Sequence, residues 1–93
     1  MLEVLLFGTN ECGSCSLNET RIKDVLKDFP EVQFRHLDVE KNAELVKKYQ
    51  VITSPTIVIA NNGEKMYEIK GIIERDRFHR ELEYLKYKAL GII

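Results

Sequence analysis

The chain has no tryptophan, and only two cysteines and two prolines. It lacks an excess of either charge: 14 basic residues stand against 15 acidic ones, for a net charge of -1. No run of Lys and Arg is present, so the sequence offers no electropositive footprint for a nucleic-acid backbone. No apolar stretch approaches the roughly 18 residues that suggest a membrane span. The apolar start, Met1-Leu2-Glu3-Val4-Leu5-Leu6-Phe7, lacks a basic leader and a small-residue cleavage site, so it does not read as a signal peptide. These absences predict a protein of the reducing cytoplasm with neither nucleic acid nor membrane as partner. Linkers, repeats and low-complexity segments are also missing. With 93 residues, 44% of them hydrophobic, the expectation is one domain over residues 1–93.

The two cysteines, Cys12 and Cys15, are separated by Gly13 and Ser14. As a structural staple this pair is a poor choice. Closing so short a loop is worth about 2 kcal/mol in chain entropy, against about 4.7 kcal/mol for a loop of about 100 residues. Cytosolic thiols are also kept reduced. Chemistry explains the spacing better than stability does.

Around this motif the hydrophobic pattern spells out alternating elements. Leu2 to Phe7 reads as a strand buried on both faces. After the cysteines, Ile22, Val25, Leu26 and Phe29 follow a helical period, with Pro30 at its end. Val32 to Val39 reads as a second strand, Val32 and Phe34 on one face and Leu37 and Val39 on the other. Asn42 is placed to cap a short helix bearing Ala43, Leu45, Val46 and Tyr49. Thr56 to Ala60 is rich in β-branched residues. Asn61-Asn62-Gly63-Glu64 is a hairpin signal leading into an antiparallel partner, Lys65 to Lys70. Gly71 ends that strand, and Phe78, Leu82, Leu85 and Ala89 mark a last helix. The order is β-α-β-α-β-β-α, whose first crossover requires parallel, right-handed pairing.

Three features coincide in this order: Cys12-Gly13-Ser14-Cys15 between first strand and first helix, Ser54-Pro55-Thr56 just before the third strand, and Gly71 between fourth strand and last helix. In this the chain resembles the thioredoxin/glutaredoxin superfamily, and the resemblance extends over essentially its whole length. It implies an α/β thioredoxin fold: a four-stranded mixed sheet in the order 2-1-3-4, with helices on both faces. It also implies a cis peptide bond before Pro55, leaving the Ser54 backbone free to pair with an extended substrate.

The resemblance further implies a thiol-disulfide oxidoreductase that reduces protein disulfides and needs no cofactor beyond a redox-active Cys12–Cys15 disulfide. Cys12, at the mouth of a helix, is the expected attacking thiolate. Cys15, one turn further in, is the resolving thiol, at a spacing that suits a disulfide. Gly13 keeps the rim low. Ser14 departs from the Pro or Tyr common in the family, and Glu11 takes the place of the usual tryptophan. A carboxylate beside Cys12 opposes thiolate formation, so a modestly depressed thiol pKa and a reducing protein are expected.

Ile72 and Ile73 are expected to form an apolar rim beside the cysteines, and Gly71 and Ile72 to dock the substrate. The apolar pair Ile72-Ile73, where glutathione binders carry Gly-Gly and an acidic cap, favours a protein substrate, with a thioredoxin-reductase-like electron donor. A glutathione-dependent glutaredoxin-like protein is the alternative within the same chemistry. A metal- or partner-binding module is the alternative outside it, although a structural zinc site usually needs four ligands and only His36 and His79 could join the cysteines. His36 stands where thioredoxins keep a buried lysine, and Leu6 where they keep its aspartate partner. The usual proton-handling carboxylate is thus absent, and His36 is read here as an ordinary histidine of an exposed edge strand, with a proton-handling role in that carboxylate's place as the alternative.

Overall fold

The computed structural model describes residues 1–9 and 12–93. Seven elements follow in chain order: β1 (Leu2–Gly8), α1 (Gly13–Leu26), β2 (Gln33–Asp38), α2 (Ala43–Lys48), β3 (Thr56–Asn61), β4 (Glu64–Lys70) and α3 (Arg75–Ala89). The strands form one sheet in the order β2-β1-β3-β4. β1 runs parallel to β2 and antiparallel to β3, and β3 runs antiparallel to β4. Element order and sheet topology match those expected from the sequence.

β1 and β3 sit centrally because both of their faces are apolar, and alternate side chains serve opposite cores. On one face, Val4, Leu6, Ile57 and Ile59 meet Ile22 and Val25 of α1 and Phe78, Leu82 and Leu85 of α3. On the other, Leu5, Phe7, Val58 and Ala60 meet Leu37, Tyr49 and Val51, with Leu45 and Val46 of α2 packed beside them. β2 divides as its alternation demands, Phe34 joining the first cluster and Leu37 the second.

The β3–β4 turn has positive φ at both central residues, Asn62 (53°) and Gly63 (83°). This is the geometry that Asn-Gly favours and that matches the twist of a two-residue hairpin. Further along, Ile59 pairs with Tyr67 while Ala60 pairs with Lys65, so Met66 is an extra residue that makes a bulge in β4.

Two local readings need adjustment. α1 ends at Leu26, before Pro30; a turn follows in which Asp28 N–H donates to Val25 O and Phe29 N–H to Leu26 O. Phe29 is still buried, which is why its spacing reads as helical. Asn42 is the residue preceding α2, but its side chain does not cap the helix. Its Nδ2 instead donates backward to Asp38 O at 2.8 Å, closing the turn that leaves β2.

Candidate active site

The sheet register gathers three chain segments at one end. Phe7, near the end of β1, pairs with Thr56 at the start of β3, and Thr56 pairs with Lys70 at the end of β4. Cys12 and α1 follow the end of β1, Ser54-Pro55 precede the start of β3, and Gly71-Ile72 follow the end of β4. The three features that carried the resemblance therefore share one edge of the molecule.

Cys12 is the N-cap of α1, in extended conformation, and Cys15 lies within the first turn. The two are joined by a disulfide, with Cα atoms 5.2 Å apart. Their environments differ. Cys12 is partly exposed, whereas Cys15 is buried at 1% exposure. The Cys15 backbone N–H is aimed at Cys12 Sγ at 3.1 Å, and Ser14 Oγ lies 3.5 Å from the same sulfur. The first turn of α1 carries no acidic side chain. A charge developing on the outer sulfur thus meets a backbone donor at a helix N-terminus, which stabilises an anion. Gly13 is exposed and leaves open space above its Cα. Glu11, singled out in the sequence, lies outside the described residues.

The Ser54–Pro55 peptide bond is cis. Ser54 is exposed and Pro55 buried. The Pro55 carbonyl accepts the Gly71 N–H at 3.0 Å, which ties the two loops together. Gly71 has φ 86°, a conformation that side chains with a Cβ rarely adopt. Ile72 is 57% exposed beside it, but Ile73, expected on the rim with it, is instead buried in the core with Phe78 and Leu82, so the rim has one isoleucine and not two. Ile52, on the loop before Ser54, is 81% exposed.

What the sequence reading missed is how this rim is held. Asn18 of α1 is fully buried; its Nδ2 donates to Gly71 O at 2.9 Å and its Oδ1 accepts from Ile73 N–H at 3.0 Å. One turn on, Arg21 donates to Ile73 O, and one turn beyond that Asp24 receives Arg75 at the start of α3. α1 thus grips the β4–α3 connection at every third residue. The signal was present: Asn18 is a polar residue on the stripe of Cys15, Ile22 and Val25, and a buried amide must find partners. Glu74 adds a second missed role, its carboxylate accepting from Asp76 N–H and Arg77 N–H to cap α3.

His36 does lie on edge strand β2, opposite Leu6, with a side chain 36% exposed. It also has a partner: Nδ1 lies 3.3 Å from Glu19 Oε1 of α1. His79 is remote from this edge in role, its Nε2 3.0 Å from Asp28 Oδ2 and its ring against Phe29. Among the described residues, no three His, Cys, Asp or Glu side chains gather as metal ligands.

With this geometry in view, the comparisons with known proteins agree. The thioredoxin family model matches residues 2–84. Thioredoxin H2-1 of Oryza sativa subsp. japonica is 31% identical over 85 residues, covering 91% of this chain and 61% of that protein. The chain therefore spans about three-fifths of the length of that relative. Among solved structures, thioredoxin from Trypanosoma brucei brucei superposes with a TM-score of 0.77 at 28% identity, over 91% of this chain and 74% of that one. Fasciola hepatica thioredoxin superposes with a TM-score of 0.76 at 28% identity, over 89% and 79% respectively. A family match across nearly the whole chain, on a sheet of this order with a cysteine pair opening the first helix, establishes that the chain belongs to the thioredoxin family.

Proposed function

We propose that the protein is a thiol-disulfide oxidoreductase that reduces protein disulfides through a Cys12–Cys15 dithiol cycle. One observation carries the reading: Cys12 is partly exposed and its sulfur receives a backbone N–H, while Cys15 is buried one turn behind it. Cys12, as thiolate, attacks a substrate disulfide and forms a mixed disulfide. Cys15 then attacks Cys12 Sγ, releasing the substrate thiol and closing the internal disulfide. Gly13 and Ser14 tune the exchange from the first turn, and Glu11 does so from the position before Cys12.

Ser54 and Pro55 form one wall of the docking site and Gly71 and Ile72 the other, where an extended chain lies across the cysteines. The exposed Ile72 suits an apolar protein segment better than a charged tripeptide. No bound cofactor takes part. The electron donor is a thioredoxin-reductase-like flavoprotein, and the setting is the reducing cytoplasm.

The test is insulin reduction with alternative electron sources. Turnover supported by a thioredoxin reductase, lost in Cys12→Ser and replaced by a trapped mixed disulfide in Cys15→Ser, is the expected result. Recycling by glutathione alone would reassign the protein to the glutaredoxin-like reading. Absence of turnover with either donor, together with stoichiometric metal, would replace the oxidoreductase with a binding module.

A further inference from the structure

The chemistry proposed above leaves one need unmet: Cys15 is buried, and its thiol must lose a proton before it can attack the mixed disulfide. A buried apolar setting opposes that ionisation. A partner for the proton is therefore needed close to the inner sulfur.

Gly8 shows where that partner stands. An ideal Cβ built on Gly8 would lie 2.3 Å from Cys15 Sγ and 3.7 Å from His36 Nε2. The inner sulfur and the imidazole nitrogen therefore both lie close to one point at the end of β1, where the absence of a Gly8 side chain makes room for the sulfur. The other ring nitrogen is already assigned. His36 Nδ1 faces Glu19 Oε1 at 3.3 Å, and an ionised carboxylate only accepts. In the neutral ring, an Nδ1–H donated to Glu19 leaves the Nε2 lone pair free on the side of Gly8 and Cys15.

Among the described residues, the titratable groups on this side of the sheet are Cys15 and Glu19 of α1, the latter 3.9 Å from Lys23 Nζ, and Asp38 of β2. β1 presents Leu6 and Gly8, neither ionisable, and on β2 itself Phe34 and Asp38 share the same face by alternation.

We infer that His36, oriented by Glu19, is the general base for Cys15 in the resolving step; this rests on the oxidoreductase reading above. The Cys15 thiol proton passes to His36 Nε2, directly or through one water. The resulting thiolate forms the Cys12–Cys15 bond as the bond between Cys12 and the substrate sulfur breaks. The electron pair leaves with the substrate thiolate, which takes up a proton from the imidazolium or solvent. His36 makes no demand on the first step, in which Cys12 attacks.

The experiment is a single-turnover reaction of the reduced protein with a small aromatic disulfide, followed by stopped flow. It reads formation and decay of the mixed disulfide separately. In His36→Phe, formation proceeds at the parent rate. Decay slows about tenfold near neutral pH, a modest share of what a positioned base supplies. The two proteins converge only as pH rises well above about 8.5, the ordinary thiol value, because a buried thiol ionises unaided only there. Glu19→Gln slows decay less, and added imidazole restores the rate in His36→Ala. His36→Gln, which keeps a polar side chain at this exposed edge, guards against a folding defect. Equal decay rates in parent and His36→Phe across about pH 6 to 9, given normal formation, would overturn the assignment. Failure of the parent to form a mixed disulfide at all would instead sink the oxidoreductase reading on which it stands.

Discussion

Asn18 Oδ1 accepts the Ile73 amide at 3.0 Å while its Nδ2 donates to the Gly71 carbonyl at 2.9 Å, so one buried side chain closes both ends of the rim loop. The helix that opens with the cysteine pair also fixes the wall facing them.

Asn18→Leu keeps the volume and removes both bonds. Each buried backbone group left unpaired costs about 1–3 kcal/mol, so urea unfolding should lose roughly 2–5 kcal/mol. The Ile73 amide should exchange faster with solvent. The KM for a protein disulfide should rise while the rate with a small aromatic disulfide stays near that of the parent. Unchanged Ile73 exchange would show that the loop is held by Arg21 and the Pro55 carbonyl instead.

Gly8→Ala should force Cys15 out of place, since the new methyl falls 2.3 Å from its sulfur. Overpacking of this kind costs about 1–3 kcal/mol. The cost should shrink by more than half when Gly8→Ala is measured in a Cys15→Ala background. Two neighbours in contact couple in this way, and an additive pair would refute the clash.

The Arg75 guanidinium beside Asp24 holds its carboxyl below the usual aspartate range, mainly by hydrogen bonding and then by charge. A carboxyl depressed in the folded chain adds stability above its ordinary pKa and loses it as pH falls through the lowered value. Arg75→Gln should therefore flatten the acid side of the stability profile, below about pH 4. The pair is solvent-exposed, so the change at neutral pH should be small. Denaturant midpoints taken from neutral pH down to about 3 read both.

Gly63 occupies the hairpin with φ 83°. Gly63→Ala places a Cβ in that left-handed region, at about 1–2 kcal/mol. Insulin reduction by the folded fraction should be untouched, because the hairpin lies at the opposite end of β3 from Ser54 and Pro55. A loss of specific activity would mean that the sheet transmits strain along its length.

Much of the architecture was legible because it follows from period. Leu2 to Phe7 could only be a central strand, and Asn62-Gly63 could only turn one way. The cysteine spacing and the proline before Thr56 located the site. What stayed hidden depends on contacts between elements distant in the chain. Asn18 and Ile73 are 55 residues apart, and His36 meets Glu19 from another element altogether. Asn42 misled because a capping residue and a turn-closing one look alike until the partner of the amide is known. Alternation alone could not tell that the His36 ring lies against α1 at Glu19.

The outer strands have a consequence of their own. β2 and β4 present Arg35, His36, Asp38, Glu64, Lys65, Glu68 and Lys70, and the extra Met66 interrupts β4. Charged, irregular borders resist zipping onto a neighbour. Crowded copies of this molecule should therefore not add strand to strand along these two borders.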